Sequence, residues 1–365
     1  MKLKNLLACT VTGMLLCTSC IKDETPNAEA DILTCTVSKD ILKRDPIIQN
    51  NSITLMVKPS TDVTRQAPQF TLTEGATIDP PSGTIRDFST PQKYIVTSES
   101  KQWTKTYTVT FVSDEIPTFY EFEDTLVTTQ SKGDYFVFTE NTQGSMEWSS
   151  GNPGFRLTGV AEDAYDYPTV QDKDGVLGSC AKLVTRSTGF FGSMVGMPIA
   201  SGNLFMGNFD VTSALTDALK STQFGYPFFH KPTKLVGYYK FKAGEKFMSQ
   251  GEEVPGKKDI FNIYAMFYET DENVRTLDGY FKADGYKHSN LVSLALIDNA
   301  KETDEWTRFE LPFKSIDGKE VDTDKLEAGG YNVAIVISSS ADGDLFDGAP
   351  GSTLWIDEVE LFYED

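Results

Sequence analysis

The feature that most narrows the fold is a pair of strand-like runs near the C-terminus, Tyr331 to Ile337 and Leu354 to Phe362, joined by a loop rich in Gly, Asp and Ser. In the first run Val333, Ile335 and Ile337 fall on one face, Ala334 and Val336 on the other. Apolar side chains on both faces suit a strand in the middle of a packed sheet. Strict alternation in the second run puts Trp355, Asp357, Val359 and Leu361 together, with Leu354, Ile356, Glu358, Glu360 and Phe362 opposite. An acid beside Trp355 and Val359 is costly to bury unless something compensates its charge. Asp357 therefore reads as an anchor bound by a cation or by hydrogen bonds, and the loop from Ser338 to Ser352 as a pocket wall.

The remainder reads as β runs broken by Gly, Pro, Asn and Asp. With 365 residues, two domains are expected. Residues 29–113 carry runs such as Ser52 to Val57, Tyr94 to Ser98 and Lys105 to Phe111, where Thr106, Thr108 and Thr110 alternate with Tyr107, Val109 and Phe111. Short strands at this spacing predict a small antiparallel immunoglobulin-like sandwich. Residues 116–365 carry many more, including Leu235 to Phe241 and Ile260 to Tyr268, and predict a larger β-jelly-roll sandwich. One short helix is expected over Asp210 to Lys220, where Val211, Ala214, Leu215, Ala218 and Leu219 share a face.

The N-terminus addresses the chain. Lys2 and Lys4 precede a short apolar run, Leu6 to Leu16, which fits a signal peptide over residues 1–19 better than a membrane span. Thr18-Ser19-Cys20 resembles the lipobox of bacterial lipoproteins, with Cys17 where Leu or Val is usual; the resemblance implies lipidation of Cys20. Residues 20–28 then form a lipidated tether. Lys22-Asp23-Glu24 resembles the surface-export signal of Bacteroidetes lipoproteins, implying an outer-membrane lipoprotein exposed at the cell surface. Cys35 and Cys180 fall in different domains and read as unpaired buried thiols.

Charge excludes one class of partner. The chain has 53 acids against 33 Lys plus Arg and a net charge of −20, and loss of residues 1–19 would leave it more acidic still. Neutralising nucleic-acid phosphates needs a basic surface, so no nucleic acid is expected. With only His230 and His288, a His-based metal site or a Ser-His-acid triad is disfavoured.

Two resemblances are more specific. Gly75, Pro81-Ser82-Gly83, Asp87-Phe88, Pro91, Tyr94-Ile95-Val96 and Tyr107-Thr-Val-Thr resemble the Ig-like modules that precede the main domain of many Bacteroidetes surface proteins. In the second domain Trp148-Ser-Ser-Gly-Asn152-Pro153-Gly154-Phe155, Gly202 to Phe209, Gly225-Tyr-Pro-Phe228, Gly237-Tyr238-Tyr239-Lys240-Phe241 and the closing Ser338 to Leu361 occur in order. Together they resemble the putative carbohydrate metabolism domain of Bacteroidetes lipoproteins. The resemblance implies a jelly roll and a glycan partner, without a proven reaction.

Sugar binding uses aromatic faces for the pyranose ring and polar groups for its hydroxyls. Asn262, Tyr264 and Tyr268 alternate onto one strand face, and Tyr239 faces away from Lys240 on another. These tyrosines either line a concave sheet or pack with their hydroxyls outward. Trp148, Asn152, Lys240, Ser339 and Ser340 complete the ligand candidates, being residues of the matched motifs. Jelly-roll sugar modules often hold a structural calcium between first and last strands, and Glu121, Glu123 and Asp357 occupy those positions. A glycoside hydrolase or lyase is an alternative, although no catalytic pair stands out; a structural or adhesion subunit without a small-molecule site is another.

Overall fold

A computed structural model of the chain describes residues 26–42, 45–57, 61–112, 116–127, 134–140 and 146–364. The leader and Cys20 lie outside the described residues. The chain divides into two compact units, the second beginning at Val112 and taking in short segments at 41–45 and 56–61.

In the first unit a five-stranded sheet runs Ile47–Gln49, Ser52–Met56, Thr104–Val112, Gln92–Thr97, Thr77–Asp79, and Ile32–Thr36 pairs separately with Gln69–Leu72. The Thr/Tyr alternation works as read: Tyr107, Val109 and Phe111 are buried while the threonines between them are not. Phe70 meets Tyr94 edge-on with centroids 4.8 Å apart, extending that core. Lys105 and the Tyr107 hydroxyl both donate to Asp31, at 2.7 and 2.9 Å.

The second unit is an all-β sandwich of two six-stranded sheets. One sheet orders Thr169–Asp172, Cys180–Val184, Thr353–Glu364, Lys231–Lys242 and Thr303–Pro312, with Phe119–Tyr120 also pairing Thr353–Glu364. The other orders Asn203–Phe205, Tyr331–Ser338, Asn262–Glu269, Leu291–Leu296 and Lys314–Ser315, with Tyr226–Pro227 also pairing Tyr331–Ser338. Tyr239 and Phe241 from the first sheet stack against Phe261 at the start of the second, at 4.7 and 4.9 Å. Tyr331–Ser338 is buried on both faces, which explains its unbroken apolar run.

The second C-terminal run departs from strict alternation. Val236 pairs with Glu360 and Tyr238 with Asp357, so Gly237 alone faces Glu358 and Val359. This is a β-bulge, with Glu358 at φ +49°. It reverses the phase of the strand: Leu354, Ile356, Val359 and Leu361 all join the core, and Asp357 shares the opposite face with Trp355 but not with Val359. Gly237 is required there, because a Cβ would lie 2.8 Å from Phe309 and 3.0 Å from Val359.

Two further expectations are corrected. The segment 210–220 is not one helix but a short turn of helix, Val211–Ala214, capped by Asp210, followed by a separate 3-10 turn, Ala218–Ser221. Thr212, Ser213 and Thr216 are weak helix formers whose side chains bond locally instead. It is also not the only helix, since Asn152–Arg156, Gly189–Met194, Tyr280–Ala283 and Thr323–Glu327 are helical. Cys35 and Cys180 are buried free thiols.

The loop between the two C-terminal strands is fixed from inside. Asp259 Oδ2 accepts from Ser340 Oγ and Ser352 Oγ at 2.6 Å and from the Ala349 amide at 2.7 Å, while Oδ1 accepts from the Ile260 amide at 3.0 Å. Ser340 and Ser352 are fully buried. Burial raises the Asp259 carboxyl above its usual value, and these donors act against that shift.

Candidate functional site

Register builds the floor of the site. Phe205, Val336 and Tyr264 form one row across three strands, and Asn203, Ser338 and Asn262 form the next. Both rows face away from the sandwich interior, because Phe261, one residue out of phase, packs inward on Tyr239 and Phe241. Two adjoining hollows lie over this face. They share Asn262, Lys282 and Ala341. One, of about 190 Å³, is walled by apolar side chains from the helices Gly189–Met194 and Val211–Ala214 and from Phe155, Phe209 and Phe224. The other, of about 510 Å³, is lined by Tyr286, Asp298, Asn299, Lys301 and Asp342.

Charge concentrates where the hollows meet. Lys282 stands on the short helix Tyr280–Ala283 and Asp344 on the 3-10 turn Gly343–Leu345. Lys282 Nζ lies 2.6 Å from Asp344 Oδ1 and 3.8 Å from Asp342 Oδ1. The Lys282 side chain is only 15% exposed, so this pair is better shielded than a surface ion pair. Asp344 Oδ2 is buried and has no hydrogen-bond partner. Beside it the Asn262 amide donates to the Tyr286 hydroxyl at 2.7 Å, and burial pushes that phenol up to about 12. Burial also holds the Tyr264 hydroxyl well above its usual value, so both phenols act as neutral donors or acceptors.

Of the residues singled out from sequence, the structure brings Asn262 and Tyr264 together in the site and disperses the others. Tyr268 follows them in phase but is fully buried, with its hydroxyl donating to the Phe224 carbonyl and accepting from Asn332. Tyr239 lies inside the sandwich against Phe261. Trp148 is a core residue whose indole donates to Glu140 at 3.1 Å, and burial pushes that carboxyl up to about 7. Asn152, also fully buried, donates to the Thr169 carbonyl and accepts from the Thr169 amide, at 2.7 and 3.0 Å. Ser339 and Ser340, both fully buried, bond Thr185, and Ser340 also holds Asp259. Lys240 lies on the other sheet, paired with Asp174 at 3.1 Å and held over the rings of Trp306 and Trp355. These motif residues hold the fold, which is reason enough for the family pattern to contain them. Sequence reasoning missed Lys282, for which no local signal exists, and placed Asp344 only within a candidate loop.

The three acids considered for calcium take different positions. Phe122 has φ +54°, the strand before it covers only Phe119–Tyr120, and so Glu121 and Glu123 do not share a strand face. Glu123 accepts from the Ser179 amide at 2.8 Å. Asp357 Oδ2 accepts from the Val176 amide at 2.6 Å and more weakly from Leu177, so both acids bind one turn, and Asp357 Oδ1 is buried without a partner. Among the described residues no three His, Cys, Asp or Glu side chains gather to hold a metal ion. Burial is the main reason the Asp357 carboxyl is pushed up to about 7.

Comparison with known proteins agrees with this architecture. Residues 121–362 match a family model described as a putative carbohydrate metabolism domain. Residues 32–111 match the N-terminal domain of surface glycan-binding proteins, which points to the cell surface. A crystal structure of a putative glycoside hydrolase from Bacteroides thetaiotaomicron is 55% identical, with 94% of this chain and 99% of that chain covered and a TM-score of 0.79. A second putative glycoside hydrolase, from Bacteroides vulgatus, is 50% identical over 68% of this chain and 98% of that chain, with a TM-score of 0.66. No curated protein matches the chain.

Asp357 makes stability depend on pH. Its folded value, about 7, exceeds the unfolded value of roughly 3.9, so the folded state binds more protons between them and stability falls as pH rises through that window. Each pH unit of displacement is worth about 1.4 kcal/mol. Asp357→Asn is expected to flatten the fall in melting temperature between about pH 4 and pH 8 in chelator-treated buffer. The expectation fails if variant and parent show the same slope.

Proposed function

The chain belongs to the putative carbohydrate metabolism domain family, and from that premise we propose that it captures oligosaccharide at the cell surface, in the polar hollow and at the Asn262–Lys282 junction. The observation that carries this reading is Asp344 Oδ2, buried and unpartnered beside an ion-paired lysine. Leaving a buried acceptor unsatisfied costs roughly 1–3 kcal/mol, and more for a charged group. The Asp344 side chain is itself 24% exposed, so a small shift that turns Oδ2 toward a sugar hydroxyl would remove that cost. Asp298, Asn299 and Lys301 supply further groups of the kind that hold sugar hydroxyls.

Hydrolysis is the second reading. It is favoured by the two solved relatives described as putative glycoside hydrolases and by the approach of both Asp342 and Asp344 to Lys282. Both carboxylates are then within a few ångströms of one cation, closer than an inverting pair with a water between its members requires. Asp344 is the only carboxylate lining the apolar hollow among the described residues, whereas Asp298 and Asp342 both line the polar one, so the carboxylate count does not weigh against hydrolysis. One experiment separates the two. The full-length chain and Asp344→Asn are titrated calorimetrically against a broad panel of plant and host glycans, and released reducing ends are counted. Capture requires binding by the parent, at least tenfold weaker in the variant, with no release. Turnover lost in Asp344→Asn would establish hydrolysis, and silence across the panel would remove both readings.

We further infer that Cys20 carries the anchor, the support being the basic start, the apolar run Leu6 to Leu16 and the small residues before Cys20. Mass spectrometry of the N-terminal peptide from membrane-purified protein should find Cys20 first and carrying lipid. An unmodified Cys20 in the mature protein would sink this.

Calcium at Asp357 is a proposal whose support is the unpartnered Oδ1. Calcium there would stabilise the ionised carboxyl. Its addition at pH 8 should then raise the melting temperature of the parent and not of Asp357→Asn, and an equal response in both would exclude this site.

A further inference from the structure

The two hollows share a wall and differ in chemistry across it. The larger offers Asp298, Asn299, Lys301 and Asp342. The smaller offers six phenylalanine rings, Phe155, Phe191, Phe205, Phe209, Phe224 and Phe346, of which Phe205 and Phe224 meet edge-on at 5.2 Å. A bare pyranose suits the second chamber poorly, because most of its wall is apolar and the side chains of Thr188, Ser201 and Asn203, which also line it, are bonded within the protein. The volume is more telling. An apolar cavity of about 150 Å³ holds a benzene ring, and this one is about 190 Å³. Apolar side chains are also exposed beside it in sequence: Phe190, before the lining residue Phe191, is 85% exposed, and Met194, before the lining residue Val195, is 64% exposed. Of the lining residues themselves Leu157, Val195 and Leu215 are 43%, 40% and 49% exposed, and exposed apolar surface at a pocket favours entry of an apolar group.

We propose that the protein selects glycans esterified by an aromatic acid. The sugar occupies the polar hollow, the aromatic ring occupies the phenylalanine chamber, and the ester crosses the shared wall at Asn262 and Lys282. The sugar hydroxyl next to the ester donates to Asp344 Oδ2, which stands at that wall through its bond to Lys282. A flat ring suits the chamber better than a flexible acyl chain, since it loses fewer rotors on entry and meets the surrounding rings edge to face. The proposal rests on the capture reading and adds to it the chemical class of the glycan.

Three ligands test it on the full-length chain by calorimetry: methyl ferulate, a feruloylated arabinoxylan oligosaccharide, and the same oligosaccharide after alkaline removal of the ester. Methyl ferulate, an aromatic ester without a sugar, is expected to bind weakly and saturably. Its binding should fall at least tenfold in Leu215→Asp and in Val195→Asp, two half-exposed positions of the chamber wall whose variants are first checked for unchanged melting temperature. Where the oligosaccharide is accepted, the ester should bind at least tenfold more tightly than the saponified form. Failure of methyl ferulate to bind overturns the proposal whichever sugar the polar hollow takes, and binding unaffected by either substitution does the same. Equal affinity for the esterified and saponified oligosaccharides overturns it while leaving glycan capture standing, since capture is decided by the panel and the Asp344→Asn comparison.

Discussion

A single buried carboxylate, that of Asp259, gathers the side-chain hydroxyls of Ser340 and Ser352, the amide of Ala349 and the amide of Ile260. Those groups come from both ends of the loop that joins the two C-terminal strands and from the entry to the strand Asn262–Glu269. Four donors on one carboxylate offset much of the cost of burying it, and they fix the loop at its two feet. Asp344, between those feet, is held at the junction of the two hollows, and Lys282 reaches it from a separate helix. The candidate site is therefore positioned by a network in which the Ser340 hydroxyl is held by Asp259 and Thr185.

That distinction sets how much was legible in the sequence. The sandwich was, because the unbroken apolar run of Tyr331–Ser338 and the Thr/Tyr alternation of Thr104–Val112 report burial directly. Asn262 and Tyr264 were, because period two fixes which residues share a face. Tyr268 obeys the same period and still misses the site, since periodicity says nothing about which part of a face another segment covers. Strict alternation also failed at Glu358, where an extra residue reverses the phase and only a left-handed backbone angle reveals it. Lys282 was invisible, because its partner is a distant loop and the contact exists only after both segments fold over the sheet.

The family and the two Bacteroides structures place the chain in carbohydrate metabolism. A hydrolase needs two carboxyl groups with different proton affinities across a cleft. Here the acids nearest the junction share one lysine, and the two carboxyls that burial pushes up to about 7, Glu140 and Asp357, bind an indole and a backbone turn instead.

The strand Thr353–Glu364 sits between Cys180–Val184 and Lys231–Lys242, partners that lie far earlier in the chain. Until it docks, each of those strands has an open edge backed by an apolar face. Such non-local closure is slow, since the entropy of a long loop is lost before any pairing compensates it. During that interval both edges are free to pair with another chain, so the yield of folded protein is governed by concentration and by whatever shields those edges, more than by the stability of the finished sandwich.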